Sequence, residues 1–257
     1  MPVPHQPVSG SGASWVMAIL DVLSQGHAES HEDGLSVADV ARLMGRDKSV
    51  VSRQMRSLRD AGFIVRNPSG RHELSWRLFS MVANADNLRM TRVAAPLLAE
   101  LAERVREKTY LTVLSEGKAL TVHAQNARLT VATTDWIGRA VPLRGSSSGI
   151  ALVMDLDEAS LSGVLQSRKE GAGQADDFEL LQRVHQARDC GYAVADRTFD
   201  PDSIGIGAPV RTVAGEAIAA VNISGPATRI GPNVPVLAGR LMHTVRALER
   251  ALNARPV

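Results

Sequence analysis

The alternation of apolar and polar residues changes character along the chain, and each change predicts a different kind of element. From Ser14, in N-cap position, Val16, Ile19, Leu20 and Leu23 recur at helical spacing as far as Gly26. A polar loop spans 27–34. Ser36 then caps a short helix over 37–44, ended by Gly45, which takes the left-handed C′ conformation without a Cβ penalty. Asp47 caps a third helix that stops at Gly62. In it Val51, Met55 and Leu58 fall at i, i+4 and i+7 and form one buried stripe, while Ser49, Ser52, Arg53 and Arg56 occupy the opposite face. Residues 63–66 and 72–76 read as two short strands around a turn at 67–71, Asn-Pro-Ser-Gly-Arg.

Helical spacing returns over 77–88 and again over 90–108, where Val93, Leu97, Leu98, Leu101 and Val105 share a side and Pro96 kinks or delays the start. After Thr109 the period falls to two. Segments 110–114, 119–123 and 129–133 alternate as antiparallel strands with one buried face do. Helices are expected at 147–154, 157–165, 178–190 and 236–252, and strands at 192–195, 204–212 and 217–224.

Two short helices joined by a glycine-containing turn form a helix-turn-helix, and the hairpin that follows makes it a winged helix. The fold class expected is therefore α+β. A tail at 1–13, holding three prolines and little that is apolar, cannot offset its ordering entropy. It precedes a winged helix-turn-helix domain at 14–76, a linker helix at 77–89 and a second domain at 90–257. Apolar-striped helices between domains commonly pair with a twin chain, which implies a dimer.

Composition adds most where it is uneven. The whole chain carries 29 basic and 27 acidic residues, yet residues 42–77 hold nine Arg or Lys against three acids. That surplus is the footprint of a nucleic-acid face, against the plainer reading of a solvated helix surface. Ser36, Lys48, Ser49, Ser52, Arg53 and Arg56, with Arg66 and Arg71 on the wing, are the candidate contacts to phosphates and base edges. No apolar run approaches the ~20 residues that span a bilayer, and the first residues lack the pattern of a signal peptide, so a cytoplasmic protein is expected. One cysteine, Cys190, permits no internal disulfide and is expected to be a buried small hydrophobe.

Gly145-Ser146-Ser147-Ser148-Gly149 matches the Gly-x-Ser-x-Gly elbow of serine hydrolases, for which Asp189 or Asp196 with His243 would be the partners. The chain lacks the alternating parallel βαβ pattern that such a site needs, so no enzyme is expected and the serines read better as helix cap and ligand donors. His27 and His31, with Glu29 and Glu32, have no further ligand at sensible spacing, so no metal is expected, nor any cofactor. His123, in an alternating strand, is expected to face the surface.

Taken in order, 35–41 (Leu-Ser-Val-Ala-Asp-Val-Ala), 48–53 (Lys-Ser-Val-Val-Ser-Arg), 141–143 (Val-Pro-Leu), 191–194 (Gly-Tyr-Ala-Val), 208–210 (Ala-Pro-Val) and 223–226 (Ile-Ser-Gly-Pro) make a specific signature. With it the chain, from Ser14 to Leu252, resembles the isocitrate lyase regulator (IclR) family of bacterial transcription factors. The resemblance implies a GAF-like effector domain binding a small organic or aromatic acid, dimers or dimers of dimers, and a palindromic double-stranded operator. It also implies an effector pocket at Ser146, Ser147, Ser148 and Gly149, facing Gly205, Asn222 and Ser224, with Val141, Asp196 and Ser203 beside them. The chain departs from the family in having Ala195 before Asp196, Gly205 where a Cys is common and Ile204 where an Arg is common. A metabolite-binding sensor without DNA function is the alternative.

Overall fold

The structure is a computed structural model that describes residues 12–26, 34–83, 87–115, 117–127, 136–166 and 174–254. It divides into two compact units, one reaching to Leu88 and the other beginning at Arg89. The histidines and glutamates of 27–32 and the strand expected at 129–133 lie outside the described residues.

The first unit holds α1 (Gly12–Gly26), α2 (Val37–Leu43), α3 (Lys48–Asp60), a hairpin of β1 (Ile64–Arg66) and β2 (His72–Leu74), and α4 (Trp76–Ala83). Helix α1 begins at Gly12, so Ser14 lies inside it and is not its cap. The expected stripe of α3 is indeed the buried one: Val51, Met55 and Leu58 are 2%, 1% and 3% exposed, and they pack with Ile19, Leu23, Leu35, Val40 and Ile64 into one core. Ser36 makes a full capping box. Its hydroxyl accepts from the Asp39 N–H, and the Asp39 carboxylate accepts from the Ser36 N–H. The expected stops also hold, since Gly45 and Gly62 have φ of 61° and 76°. Leu35 bridges to His72 through paired backbone bonds of 3.0 and 2.8 Å, an isolated bridge on the other edge of β2.

The second unit is built on a six-stranded antiparallel sheet. Its strands are β3 (Lys108–Ser115), β4 (Lys118–Gln125), β5 (Ala140–Val141), β6 (Ala193–Asp196), β7 (Ser203–Arg211) and β8 (Ala217–Pro226), in spatial order β5-β4-β3-β8-β7-β6. Each strand turns alternate residues to opposite sides. One side, with Leu111, Ile206, Val221 and Ile223, packs on α5 (Asn87–Val105) and α10 (Val234–Asn253) through Leu98, Leu101, Leu241 and Val245. The other side meets α6 (Ser147–Val153), with α7 (Glu158–Gln166) and α8 (Gln174–Cys190) beyond it, through Ile150, Leu161, Leu180 and Val184. A one-turn helix, α9 (Ala227–Ile230), follows β8.

Several boundaries differ from those expected. Of the span 77–89, residues 77–83 belong to α4 and 87–89 to α5, and the residues between them lie outside those described. Pro96 lies within α5 and does not delay its start, which is at Asn87. Helix α5 stops at Val105, short of Lys108, because Arg106 adopts a left-handed φ of 59° and turns the chain into β3. Cys190 is exposed, since the buried line of α8 (Leu180, Val184, Ala187) ends before it. His123 is half-buried, because register sets it opposite Leu111, whose side of the sheet is covered.

Candidate functional site

In the first unit the polar face of α3, the start of α2 and the wing surround a groove enclosing about 960 Å³, much of it open to solvent. Among the described residues, its lining includes Ser36, Ser52 and His72 together with four cations, Lys48, Arg56, Arg59 and Arg66, and no carboxylate. Lys48 and Arg56 come from α3, whose first turn is fixed by the Asp47 carboxylate accepting from the Ser49 N–H at 2.7 Å. Arg66 is held across the wing turn, its Nε donating to the Gly70 carbonyl at 2.9 Å, while Gly70 takes φ of 81°. The turn itself is ordered by Asn67, whose side-chain oxygen accepts from the Arg71 N–H and the Ser69 hydroxyl.

Most residues expected from sequence converge on this face. Arg59 and His72 join them without having been expected. Ser49 and Arg53 are exposed on α3 outside the groove lining. Arg71 is committed elsewhere: its guanidinium donates to the Gly34 carbonyl at 3.1 Å and lies 3.6 Å from Asp39. Asp39 is held down at about 2, first by the hydrogen bonds from Ser36, with Arg42 and Arg71 adding to the effect. The His72 ring, 7% exposed with Nδ1 unpartnered, is pushed below its ordinary range by burial and then by Arg66 and Arg59.

In the second unit a cavity of about 500 Å³, opening included, lies between the sheet and the start of α6. Alternation builds its floor. Tyr110 and Thr112 of β3 share a face with Thr121 of β4, with Asn222 and Ser224 of β8, and with Ser203 and Gly205 of β7. Register brings them together: Thr112 is opposite Thr121, Tyr110 opposite Asn222, and Ser224 opposite Gly205. Helix α6 reaches this floor because β7 offers no side chain to obstruct it. A Cβ at Gly207 would stand 2.5 Å from the Ser147 carbonyl oxygen, and one at Gly205 2.6 Å from the Ser147 hydroxyl.

Ser146 caps α6, its hydroxyl accepting from the Gly149 N–H at 3.0 Å and donating to the Pro142 carbonyl at 2.6 Å. Ser147 and Ser148 are only 2% and 3% exposed. The Asn222 amide donates to the Ser147 hydroxyl at 3.4 Å, and Thr112 donates to the Ser148 hydroxyl at 3.5 Å, both at the long limit for such bonds. The Asn222 side-chain oxygen is buried and has no partner. Trp136 and Phe199 close another side, their rings 5.2 Å apart and tilted by 60°. The Thr121 carbonyl accepts from Gly138 and anchors the Trp136 turn, while the Thr198 hydroxyl donates to the Gly145 carbonyl and anchors the Phe199 loop.

Of the residues expected here, Val141, Ser146, Ser147, Ser148, Ser203, Gly205, Asn222 and Ser224 line the cavity. Gly149 instead packs behind it, where a Cβ would meet the Leu143 backbone at 2.5 Å. Asp196 points to Arg197 at 3.1 Å, and Ala195 takes the place on the lining. Tyr110, Thr112 and Thr121 were legible as the polar side of alternating strands, but Trp136, Phe199 and Asp200 sit in loops without periodicity. None of Asp189, Asp196 and His243 is among the lining residues, so the hydrolase partners nominated from sequence are not assembled around Ser147.

Residues 82–250 match the family model described as the C-terminal part of the bacterial transcriptional regulator IclR, and residues 18–73 match that of the MarR family. The HTH-type transcriptional repressor AllR of Klebsiella pneumoniae is 26% identical over 267 residues, covering 99% of this chain and 96% of that one. The HTH-type transcriptional regulator XynR of Escherichia coli (strain K12) is 25% identical over 245 residues, 92% of this chain and 94% of that one. Among solved structures, an IclR homolog complexed with 4-hydroxybenzoate from Microbacterium hydrocarbonoxydans has a TM-score of 0.75 at 23% identity, covering 95% of this chain and 100% of that one. At that identity the likeness speaks for the fold.

Proposed function

From the premise that the chain belongs to the IclR family of bacterial transcriptional regulators, we propose that α3 reads an operator and that the occupant of the cavity beneath α6 sets how tightly it is held. The observation that carries this reading is the electrical contrast between the two sites of one chain. Among the described residues, the groove beside α3 presents four cations and no acid, as a phosphate backbone requires, whereas the cavity presents hydroxyls, an amide, three rings and a single carboxylate, as a small organic molecule requires.

In this reading, residues 14–76 bind DNA, 77–89 link, and 90–257 bind effector and pair with a second copy. Lys48, Arg56, Arg59 and Arg66, with Ser36 and Ser52, hold phosphates. Arg53 and Ser49, exposed on α3, meet base edges, and Arg71 supports the wing from behind. Arg53 is the base reader whose loss relaxes specificity, by on the order of 1–3 kcal/mol at one position. The effector is a small aromatic compound lying between the Trp136–Phe199 pair and the Gly205 floor; a fold relative is complexed with a one-ring compound, 4-hydroxybenzoate. Its binding shifts the population of DNA-competent dimers without any chemistry on the ligand. Among the described residues no helix is long and apolar enough to cross a membrane, in keeping with action in the cytoplasm.

The test is selection of duplexes from a randomised pool, followed by anisotropy titration of the winners at stepped salt. A recurring palindrome, bound more weakly as salt rises and lost in Arg53→Ala, is the expected result. No enrichment and no salt-dependent binding to any duplex would reduce the protein to a metabolite sensor without a DNA function.

A further inference from the structure

We propose that the cavity selects an uncharged aromatic compound carrying a hydroxyl or carboxamide, and discriminates against the corresponding carboxylate. This rests on reading the cavity as the effector site and goes against the acid that the family resemblance implies. Among the described residues, the lining holds no Arg, Lys or His, and its one carboxylic acid is Asp200. A carboxylate moved from water into such a cavity loses hydration without gaining a counter-charge, and it meets the Asp200 carboxylate as a like charge. The strand position where the family commonly has an Arg is Ile204 here, and that side chain faces the opposite side of the sheet, 4% exposed in the apolar core.

What the cavity does offer is matched donors and acceptors. The Asn222 oxygen is buried with no donor, while the amide nitrogen is spent on Ser147 at 3.4 Å. Ser147, accepting from Asn222, has its own proton to give. A ligand group that donates to Asn222 and accepts from Ser147 satisfies both, and hydroxyls and carboxamides are the neutral groups that do so. A carboxylate has no proton for Asn222 and would leave its oxygen orphaned or force the amide to flip away from Ser147. The tilted Trp136–Phe199 pair supplies an apolar wall for the ring that bears the group.

Calorimetric titration of the full chain at neutral pH with three probes on one ring decides the matter: 4-hydroxybenzamide, 4-hydroxybenzoate and 4-hydroxybenzylamine. The amide is expected to bind at least about tenfold tighter than either charged probe. Asn222→Leu should remove most of its binding, and Asp200→Asn should narrow the gap to the benzoate. Thr112→Val, a smaller change on the same wall, should also weaken the amide and stands in if Asn222→Leu does not fold. Benzoate binding as tightly as the amide, and weakened by Asn222→Leu or Thr112→Val, would overturn the charge preference while leaving the cavity as the effector site. The benzylamine binding tightest would overturn it in favour of a cation. Failure of all three probes, or binding indifferent to both substitutions, would overturn the preference and the effector-site reading together.

Discussion

Arg229 on α9 grips the Glu107 carboxylate with two hydrogen bonds, at 2.6 and 2.9 Å, and that carboxylate is only 5% exposed while the guanidinium is 57% exposed. Removing the arginine would leave a buried anion uncompensated. Arg229→Met is expected to cost about 1–3 kcal/mol in urea unfolding, less than a fully buried pair because one partner already faces water. Equal midpoints for Arg229→Met and wild type would show that water screens Glu107 adequately.

The close approach of α6 to β7 makes a second, graded prediction. At Gly207 an added methyl would meet backbone, whereas at Gly205 it meets a hydroxyl that can rotate. Gly207→Ala should therefore destabilise by at least about 1–3 kcal/mol, and Gly205→Ala by less, with its main effect on probe binding. Thermal denaturation that ranks the two the other way round contradicts this packing.

The Ser36–Asp39 box fixes both a helix start and an acid limit. Ser36→Ala should cost about 0.5–2 kcal/mol. Asp39, whose folded value is depressed to about 2, contributes stability that is present above the ordinary carboxylate range and is lost as pH falls from about 4. Asp39→Asn should flatten that acid limb, measurable by circular dichroism along an acid titration.

Two histidines set a milder window. Burial depresses His72 in the first unit and His123 in the second. A histidine kept neutral on folding stabilises above its unfolded value, and that contribution is lost as pH falls through about 6.5, because the unfolded chain takes up the proton first. Melting temperatures should decline on the acid side of neutrality, and His72→Phe with His123→Phe should shrink the decline. An unchanged slope would mean that the rings are hydrated in solution.

On DNA, each groove cation that holds a phosphate should contribute about 0.9 to the slope of log K against log salt. Lys48→Ala and Arg59→Ala should each lower the slope without altering the preferred sequence, whereas Arg53→Ala should alter preference with the slope nearly intact. A specificity change from Arg59→Ala would move the reading surface into the groove.

The winged helix was legible almost residue by residue, because each of its signals is local. A cap at Asp47, left-handed glycines at 45 and 62 and a stripe of Val51, Met55 and Leu58 each act within a few residues. The cavity was half legible. Thr112, Asn222 and Gly205 alternate along strands, so their shared face follows from period two once the strands pair. Trp136 and Phe199 are brought together by turns around Gly138 and Thr198, and no periodicity reports where a turn delivers its residue. Arg71 shows the same limit: its charge is visible in sequence, but not the carbonyl of Gly34 and the carboxylate of Asp39 that the fold brings beside it.

Where it floors the cavity, the central sheet of the second unit is a wall one residue thick, polar on one side and a dry core on the other. Asn222 touches the cavity, and its chain neighbours Val221 and Ile223 are both 0% exposed in the core shared with α5 and α10. A floor side chain displaced through its backbone carries the core residues on either side of it along in the same direction. The sheet therefore works as a drumhead: a molecule pressing on the polar skin is felt on the apolar one at the same residues, with no relay of intermediates between them.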